Sequence, residues 1–417
     1  VSKLLAASGQ LIGSGVHPGL SESKIPLWRT GSNIMFSGGY PQPEPGHVQL
    51  LAKLQQAEVR GMLDMERSGK RILYWGSIDK LFTFDDSTNT VTQVGTGYGG
   101  LLNATQVKPA TRWSLESWGK WALATNGIDA PQIDKAAGAG FVPLTGLPYV
   151  GWKPEIFIRL KQFMIGINWD DGAHGGKTIW WCRLDNVEDW ALGSLSSEAG
   201  ELPIRDTDSA LIAAIEYGEH VAMFTENRMF IVSFIGAPLW IASNRVLTGV
   251  GCFSKHCVTQ YESLLYGFGP QGFWVTDGGR FEYLDIPSLR DYIFKDFNYV
   301  QSSKCVVWVE PNTQRVFVHW CSQNSTVLNR SACWHIREKV WGLPGLVRSA
   351  AARNNVFDHT VVGDSAGDIW LAGYLDVAPD TGTPLDVSDP SVQYDGNGFG
   401  EGAFGGLMFG GNWSGDG

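Results

Sequence analysis

The chain has 417 residues and a formal net charge of −10, from 42 acidic against 32 basic side chains. That balance speaks against tight, non-specific binding to phosphate backbones, which needs clustered Lys and Arg. With 52 Gly, 18 Trp and only 18% charged residues, the composition speaks against a disordered chain and fits an all-β protein of tight turns and aromatic packing.

Residues 1–30 are rich in Ser, Gly and Pro and read as an arm, with one apolar anchor at Ile25, Leu27 and Trp28. A short strand is expected near Ile34 to Phe36. Residues 48–57 have the spacing of a helical turn or two. From Gly61 a four-strand rhythm begins: 61–65, 72–75, 81–84 and 91–94, separated by short polar breaks of the kind antiparallel hairpins require. A second unit runs through 113–118, 121–125, 131–134 and 141–144. A third holds 156–160, 163–168 and 179–184. Between 185 and 209 the pattern lapses, with a single helical turn expected at 186–190.

Residues 211–284 carry the clearest pattern. Apolar runs alternate with turn signals at Gly218-Glu219, Glu226-Asn227, Gly236-Ala237-Pro238 and Asp277-Gly278-Gly279, giving two units. Val221-Ala222-Met223-Phe224 and Met229-Phe230-Ile231-Val232 are apolar at every position. A sheet with one wet face alternates, so these sheets are expected to be covered on both sides. Stacked meanders of this kind predict a β-propeller, with a two-layer β-sandwich as the alternative.

Residues 288–297 have apolar positions at 289, 292, 293 and 297, and predict a helix inserted between blades. A sixth unit follows at 305–309, 316–320, 333–336 and 340–341. A half-unit at 360–362 and 368–371 ends the series, and a strand from the arm, near 33–36, is expected to complete it and pair its open edges. The organisation expected is therefore an arm with a closing strand over 1–60, a propeller of six or seven four-stranded blades over 61–375, and a Gly- and Asp-rich tail over 376–417 that is flexible or laid along a partner.

The chemistry-bearing residues are sparse. No HExxH or GxSxG pattern occurs, and His17, His47, His174, His220, His256, His319, His335 and His359 are scattered, so no catalytic, cofactor-binding or metal-binding residues are assigned and no enzyme activity is expected. Gly95 to Gly100 lacks the Lys-Ser/Thr of a phosphate loop and reads as a linker between blades. Asp170-Asp171-Gly172 and the segment 364–368 read as solvated turns rather than calcium loops. The six cysteines (182, 252, 257, 305, 321, 333) form no CxxC pair and mostly flank apolar residues, so buried free thiols and a reducing compartment are expected. No secretory signal or membrane span is read.

Two blocks carry more than pattern. Trp28-Arg29-Thr30-Gly31-Ser32-Asn33-Ile34-Met35-Phe36-Ser37-Gly38-Gly39 resembles the opening of tail structural proteins of bacteriophages. Met223-Phe224-Thr225-Glu226-Asn227-Arg228-Met229-Phe230 and Gly272-Phe273-Trp274-Val275-Thr276-Asp277-Gly278-Gly279 look like two strand pairs of the same proteins. The nearest resemblance is to the tail nozzle, or tail tubular, proteins of short-tailed phages. It implies a non-enzymatic virion subunit in a homo-oligomeric, six-fold ring below the portal and adaptor, assembled in the host cytoplasm. Adaptor, tail fibre or spike proteins would be its neighbours, and genomic DNA would pass through without specific binding. No functional residue transfers. From the −10 charge, an acidic lumen is expected, since it would repel phosphates and let the duplex slide. The alternative is a carbohydrate- or receptor-binding propeller at the tail tip, with an exposed Trp169 beside Asp170 and Asp171 as its sugar-stacking group.

Overall fold

Val221 to Phe224 explain the architecture. Side chains of a strand point alternately to opposite faces of the sheet. In the computed structural model, Val221 and Met223 pack against residues of the preceding sheet, among them Ile158, Phe163 and Ile165, whereas Ala222 and Phe224 pack against residues of the following one, among them Leu265 and Trp274. All four are fully buried. The sheet is therefore an interior layer, with no wet face.

The structure describes residues 34–37, 40–43, 45–51, 57–99, 112–135, 140–169, 176–192, 198–207, 209–354 and 356–374. The opening block at 28–33 and the Gly- and Asp-rich stretch 376–417 lie outside the described residues. In chain order, β1 (Ile34–Ser37) and β2 (Tyr40–Pro43) form a hairpin, and β3 (Gly46–Leu51) follows. Six four-stranded antiparallel meanders come next. They are β4–β7 (Gly61–Arg67, Lys70–Gly76, Lys80–Asp85, Thr90–Thr96), β8–β11 (Ser114–Trp118, Trp121–Thr125, Gln132–Asp134, Val142–Pro143) and β12–β15 (Ile156–Leu160, Phe163–Ile167, Thr178–Trp181, Gly200–Pro203). After them run β16–β19 (Ala213–Tyr217, His220–Phe224, Arg228–Gly236, Trp240–Thr248), β20–β23 (Val258–Tyr261, Leu264–Gly269, Gly272–Thr276, Phe281–Tyr283) and β24–β27 (Val306–Glu310, Arg315–Trp320, Arg330–His335, Val340–Gly342). The seventh sheet joins β28 (Ala350–Ala351), β29 (Val361–Gly363) and β30 (Ile369–Tyr374) to β3 at its outer edge.

Apolar side chains fill the space between sheets one and two, two and three, three and four, four through six, six and seven, and seven and one. The interfaces thus close on themselves. The chain is a seven-bladed β-propeller, not the two-layer sandwich that the sequence left open.

The abundance of Trp and Gly has one physical cause. A glycine in a strand leaves room for an indole to lie flat on the sheet. The Trp113 ring covers Gly76, that of Trp152 covers Gly166, and that of Trp274 covers Gly267; a Cβ at any of these three glycines would stand within 3 Å of the indole. Trp113 and Trp274 also donate their ring N–H to the carbonyls of Ser77 and Gly251, both at 2.7 Å. These two indoles are thereby satisfied at their polar ends while their rings fill the interface, whereas Trp152 Nε1 is buried without a partner.

Three expectations are corrected. The strand that closes the seventh blade is β3, not residues 33–36. Ile34–Ser37 already has a partner in Tyr40–Pro43, whereas β3 pairs antiparallel with β30, from Gly46↔Tyr374 to Leu51↔Ile369. Residues 48–51 are therefore strand rather than helix. Register shifts at Gly46/His47 and Gln49/Leu51 disturb the two-residue period, and this is why the segment mimics helical spacing. Finally, residues 186–190 form turns with a bridge between Arg183 and Asn186, and the third blade has a fourth strand, Gly200–Pro203. Its sequence, GELP, has neither alternation nor bulk, so main-chain pairing with β14 defines it.

The inserted helix is present as α1 (Pro287–Lys295), between blades five and six, with Leu289 and Ile293 buried. A 3-10 segment, Tyr299–Lys304, continues from it into β24.

Candidate functional site

The first strands of successive blades adjoin around the axis from β4 through β24, and β28 adjoins β4. Between them lies a cavity of about 170 Å³, lined by residues from β8, β12, β16, β20, β24 and β28. A smaller cavity of about 50 Å³ adjoins it, sharing Glu116, Ile158, His256, Ala351, Arg353 and Asn354 with the first. This axial channel gathers ionisable groups from several blades among the described residues.

Glu116 and Glu216 come from inner strands, and Arg159 of a third inner strand is the partner of Glu216. Glu116 stands in SLESW, Arg159 in IFIRL and Glu216 in AAIEY. Arg159 and Glu216 are paired, Nε to Oε1 at 3.1 Å. Glu116 accepts the Ser117 N–H at 3.0 Å. Burial and the neighbouring Glu216 push its carboxyl up to about 7. Arg353 donates to the Lys255 carbonyl at 3.3 Å, and Lys255 Nζ donates to the Glu155 carbonyl at 3.0 Å. Burial draws Lys255 down to about 8 and Arg353 below its usual range. His256, also in the channel wall, is held well below its ordinary value, by burial first and then by Arg353, Arg112 and Lys255. Its Nε2 is buried without a hydrogen-bond partner.

Asp64 lies at the seam between blades seven and one. Its carboxylate accepts the backbone N–H groups of Asn354 at 2.8 Å and Val356 at 2.7 Å. Burial raises its pKa against the pull of these bonds. Asp64 thus acts as a clasp, tying the innermost strand of the first blade to the loop of the last.

A second buried polar group holds β3. Arg348 donates to His47 Nδ1 from Nε at 3.2 Å and from its terminal nitrogen at 3.0 Å. His47 must then be neutral, with its other ring nitrogen 3.8 Å from Glu310 Oε1. Burial, then Arg348 and Arg315, hold its pKa well below the ordinary value. Glu310 in turn accepts from Arg315 Nε at 2.9 Å, and both side chains are 1% exposed. Trp308 donates to His319 Nε2 at 2.8 Å alongside.

The residues singled out in sequence fare differently. All six cysteines are buried, and none forms a disulfide. Trp169 is 4% exposed and packs edge-on to Trp152 at 5.8 Å, so it offers no ring for a sugar to stack on; Asp170 and Asp171 lie outside the described residues. Asp364 spends one oxygen on the N–H groups of Ala366, Gly367 and Asp368 and the other on the Trp370 indole at 2.9 Å. It is the pivot of a turn. Gly95 and Thr96 end β7, and Gly99 bonds to Asp129 in the connection to blade two. Among the described residues, no group of three or more His, Cys, Asp or Glu side chains is arranged to hold a metal ion, and no helix is long and apolar enough to cross a membrane.

Sequence reading did not find the axial cluster. The signal was there: a lone charge in a five-residue inner strand, repeated in blades two, three and four.

Apolar side chains also reach the surface together at one end of blade six. Tyr299 is 59% exposed, Val300 69% and Val327 51%. Asn298 bonds to the Ser325 carbonyl at 3.0 Å and Lys304 to that of Thr326, which ties the 3-10 segment to the loop carrying Val327. Tyr292 of α1 is exposed nearby in the chain.

No family model matches the chain, and no curated protein matches it. Among solved structures it is similar to the computationally designed Ika8 protein, with 10% identity and a TM-score of 0.45 over 79% of this chain and 100% of that one. It is similar to YCF48 bound to D1 peptide, with 12% identity and a TM-score of 0.47 over 79% and 96%. The WD40 β-propeller domain of Doa1 gives 12% identity and a TM-score of 0.48 over 79% and 97%. The seven-bladed assignment rests on this chain's own sheets and interfaces.

Proposed function

We propose that the chain is a virion structural protein, a tail nozzle or tail tubular subunit of a short-tailed bacteriophage that packs with copies of itself into a ring around the DNA exit channel. The observation that carries this reading is the pair of sequence blocks at 223–230 and 272–279. They form the β17–β18 hairpin of blade four and the third strand with its turn in blade five, and both are framework rather than catalytic elements. The turn is made by Asp277, whose side chain accepts the N–H groups of Gly279 and Arg280. Gly278, at φ +86°, takes the left-handed conformation that favours glycine.

Two further features support it. Tyr299, Val300 and Val327 offer an apolar contact at one end of a blade, as a head-to-tail ring needs from two different faces of one subunit. The axial cavity, about 170 Å³, has the volume of roughly six water molecules at ~30 Å³ each. A duplex would therefore run through a lumen between subunits and not along a propeller axis. With the chain at −10, that lumen is expected to be acidic.

Native mass spectrometry and negative-stain imaging of the purified chain, alone and with its adaptor, test the reading. Discrete rings on the adaptor are expected, and Tyr299→Ser with Val300→Ser should dissolve them without unfolding the monomer. A chain that stays monomeric with the adaptor present, or a ring whose lumen is lined by Lys and Arg, would count against it.

A further inference from the structure

The axial channel holds two cations whose N–H groups the framework's hydrogen bonds do not exhaust. The chain as a whole is strongly acidic, yet two cations stand in the channel with only backbone carbonyls as partners. Arg353 donates to the Lys255 carbonyl and Lys255 to that of Glu155. Among the described residues, neither forms an ion pair with a carboxylate, whereas Glu216, which lines the larger cavity, is paired with Arg159. Arg353 is exposed to solvent, and the charge of Glu116 acts on it without a direct ion pair.

The walls around these cations are equally specific. Glu116, Gln260 and Asn354 line the larger cavity, and His256 lines both, with its buried Nε2 unpartnered. Glu116 has no ion pair among the described residues, and one of its oxygens holds the Ser117 N–H. Arg353 and the acceptor-bearing carboxyl of Glu116 line both of the adjoining cavities and Lys255 lines the smaller, which suits a ligand that brings the opposite groups. A cavity of about 170 Å³ admits a molecule of a few heavy atoms and nothing the size of a nucleotide.

The geometry points to a binding site in the propeller axis for a small carboxylate that also carries a hydrogen-bond donor, a 2-hydroxy acid or an amino acid. Its carboxylate is held by Arg353 with Lys255, and its hydroxyl or ammonium group is received by Glu116. Arg353 matters most, since a guanidinium binds a carboxylate through two parallel N–H groups where an ammonium acts as a point charge. The site is independent of the proposed role in a phage tail.

Titration calorimetry and thermal shift on the full chain test it, with lactate and glycine as probes. Acetate serves as the carboxylate lacking a donor, inorganic phosphate as a different oxyanion, and sodium chloride as the ionic-strength control. Lactate or glycine should bind saturably, one per chain, and raise Tm, with acetate at least tenfold weaker. Arg353→Met should abolish the effect and Lys255→Met weaken it. Both remove a crowded charge, so both variants should fold; circular dichroism checks that. Glu116→Gln should bring lactate down towards acetate. No saturable binding by either probe, an equal shift from chloride, binding unchanged in folded Arg353→Met, or phosphate binding as tightly as lactate would each overturn the assignment.

Discussion

In the fourth blade, neighbouring sheets meet through buried Val221, Met223, Ala222 and Phe224, and the ion pairs to the third blade, Arg159–Glu216 and Lys161–Glu219, are exposed. In the seventh, the outer strand is secured by His47, Arg348, Glu310 and Arg315, all buried, and the inner strand's loop by Asp64. Both blades have four strands and the same antiparallel order. They differ because the fourth is continuous in sequence, whereas the seventh must recruit β3 from more than three hundred residues away. Apolar burial is non-directional and rewards any close packing. A buried charge network is satisfied only in one register. That difference suggests that the seam carries specificity and the central blades carry bulk stability.

The largest effect expected from breaking this contrast is removal of β3. Deleting residues 1–51 strips β30 of its partner and leaves Glu310 and Arg348 facing a gap, so cooperative unfolding and near-ultraviolet circular dichroism should both be lost. Next, Glu310→Gln leaves Arg315 without its counter-charge and should cost about 3–5 kcal/mol in denaturant unfolding. Phe224→Ala should cost a similar ~3–5 kcal/mol by opening a cavity. A third variant, His47→Gln, separates from Phe224→Ala by pH.

That dependence follows from the histidines. Burial lowers His47, His256, His319 and His335, and His47 and His319 belong to the seam. A histidine whose folded pKa lies below its unfolded value contributes stability that is complete above about 6.5 and is lost as pH falls, because the unfolded chain takes the proton first. Each contributes a slope of about 1.4 kcal/mol per pH unit below that point. Glu116 and Asp64 oppose the trend, since their raised values favour the fold as carboxyls gain protons. Four histidines outweigh two acids, so stability should fall between pH 6.5 and 5. His47→Gln should flatten the slope by one proton, while Phe224→Ala lowers stability and leaves the slope intact. Glu116→Gln should remove a smaller loss in the other direction, as pH rises through about 7.

The smallest effect concerns Tyr217, whose hydroxyl donates to the carbonyls of Ser263 at 3.1 Å and Asp277 at 2.6 Å between blades four and five. Tyr217→Phe should cost about 0.5–1.5 kcal/mol, the net value of an ordinary hydrogen bond. If it costs more than Glu310→Gln, the assignment of specificity to the seam is wrong.

The central blades were legible because strands buried on both faces write an unbroken apolar run into the chain. Helix α1 was legible through Leu289 and Ile293, one turn apart. The closing strand was not, because bulges beside His47 and Gln49 disturb its period and its partner is remote. Strand β15 was hidden by a Gly and a Pro in four residues. The axial cluster was missed because Glu116, Arg159 and Glu216 look like ordinary strand charges until seven inner strands converge. Only the circular arrangement turns those isolated charges into one site.

Hydrogen exchange read by mass spectrometry, at pH 7.5 and again at pH 5.5 with intrinsic rates corrected, tests the closure most directly. Amides of β3 and β30 should be protected together at pH 7.5 and lose protection together at pH 5.5, while β17 and β18 stay protected at both. Protection of β3 that is absent at pH 7.5, or that fades at the same pH as β17, would contradict a propeller closed by its N-terminal strand through a buried polar seam.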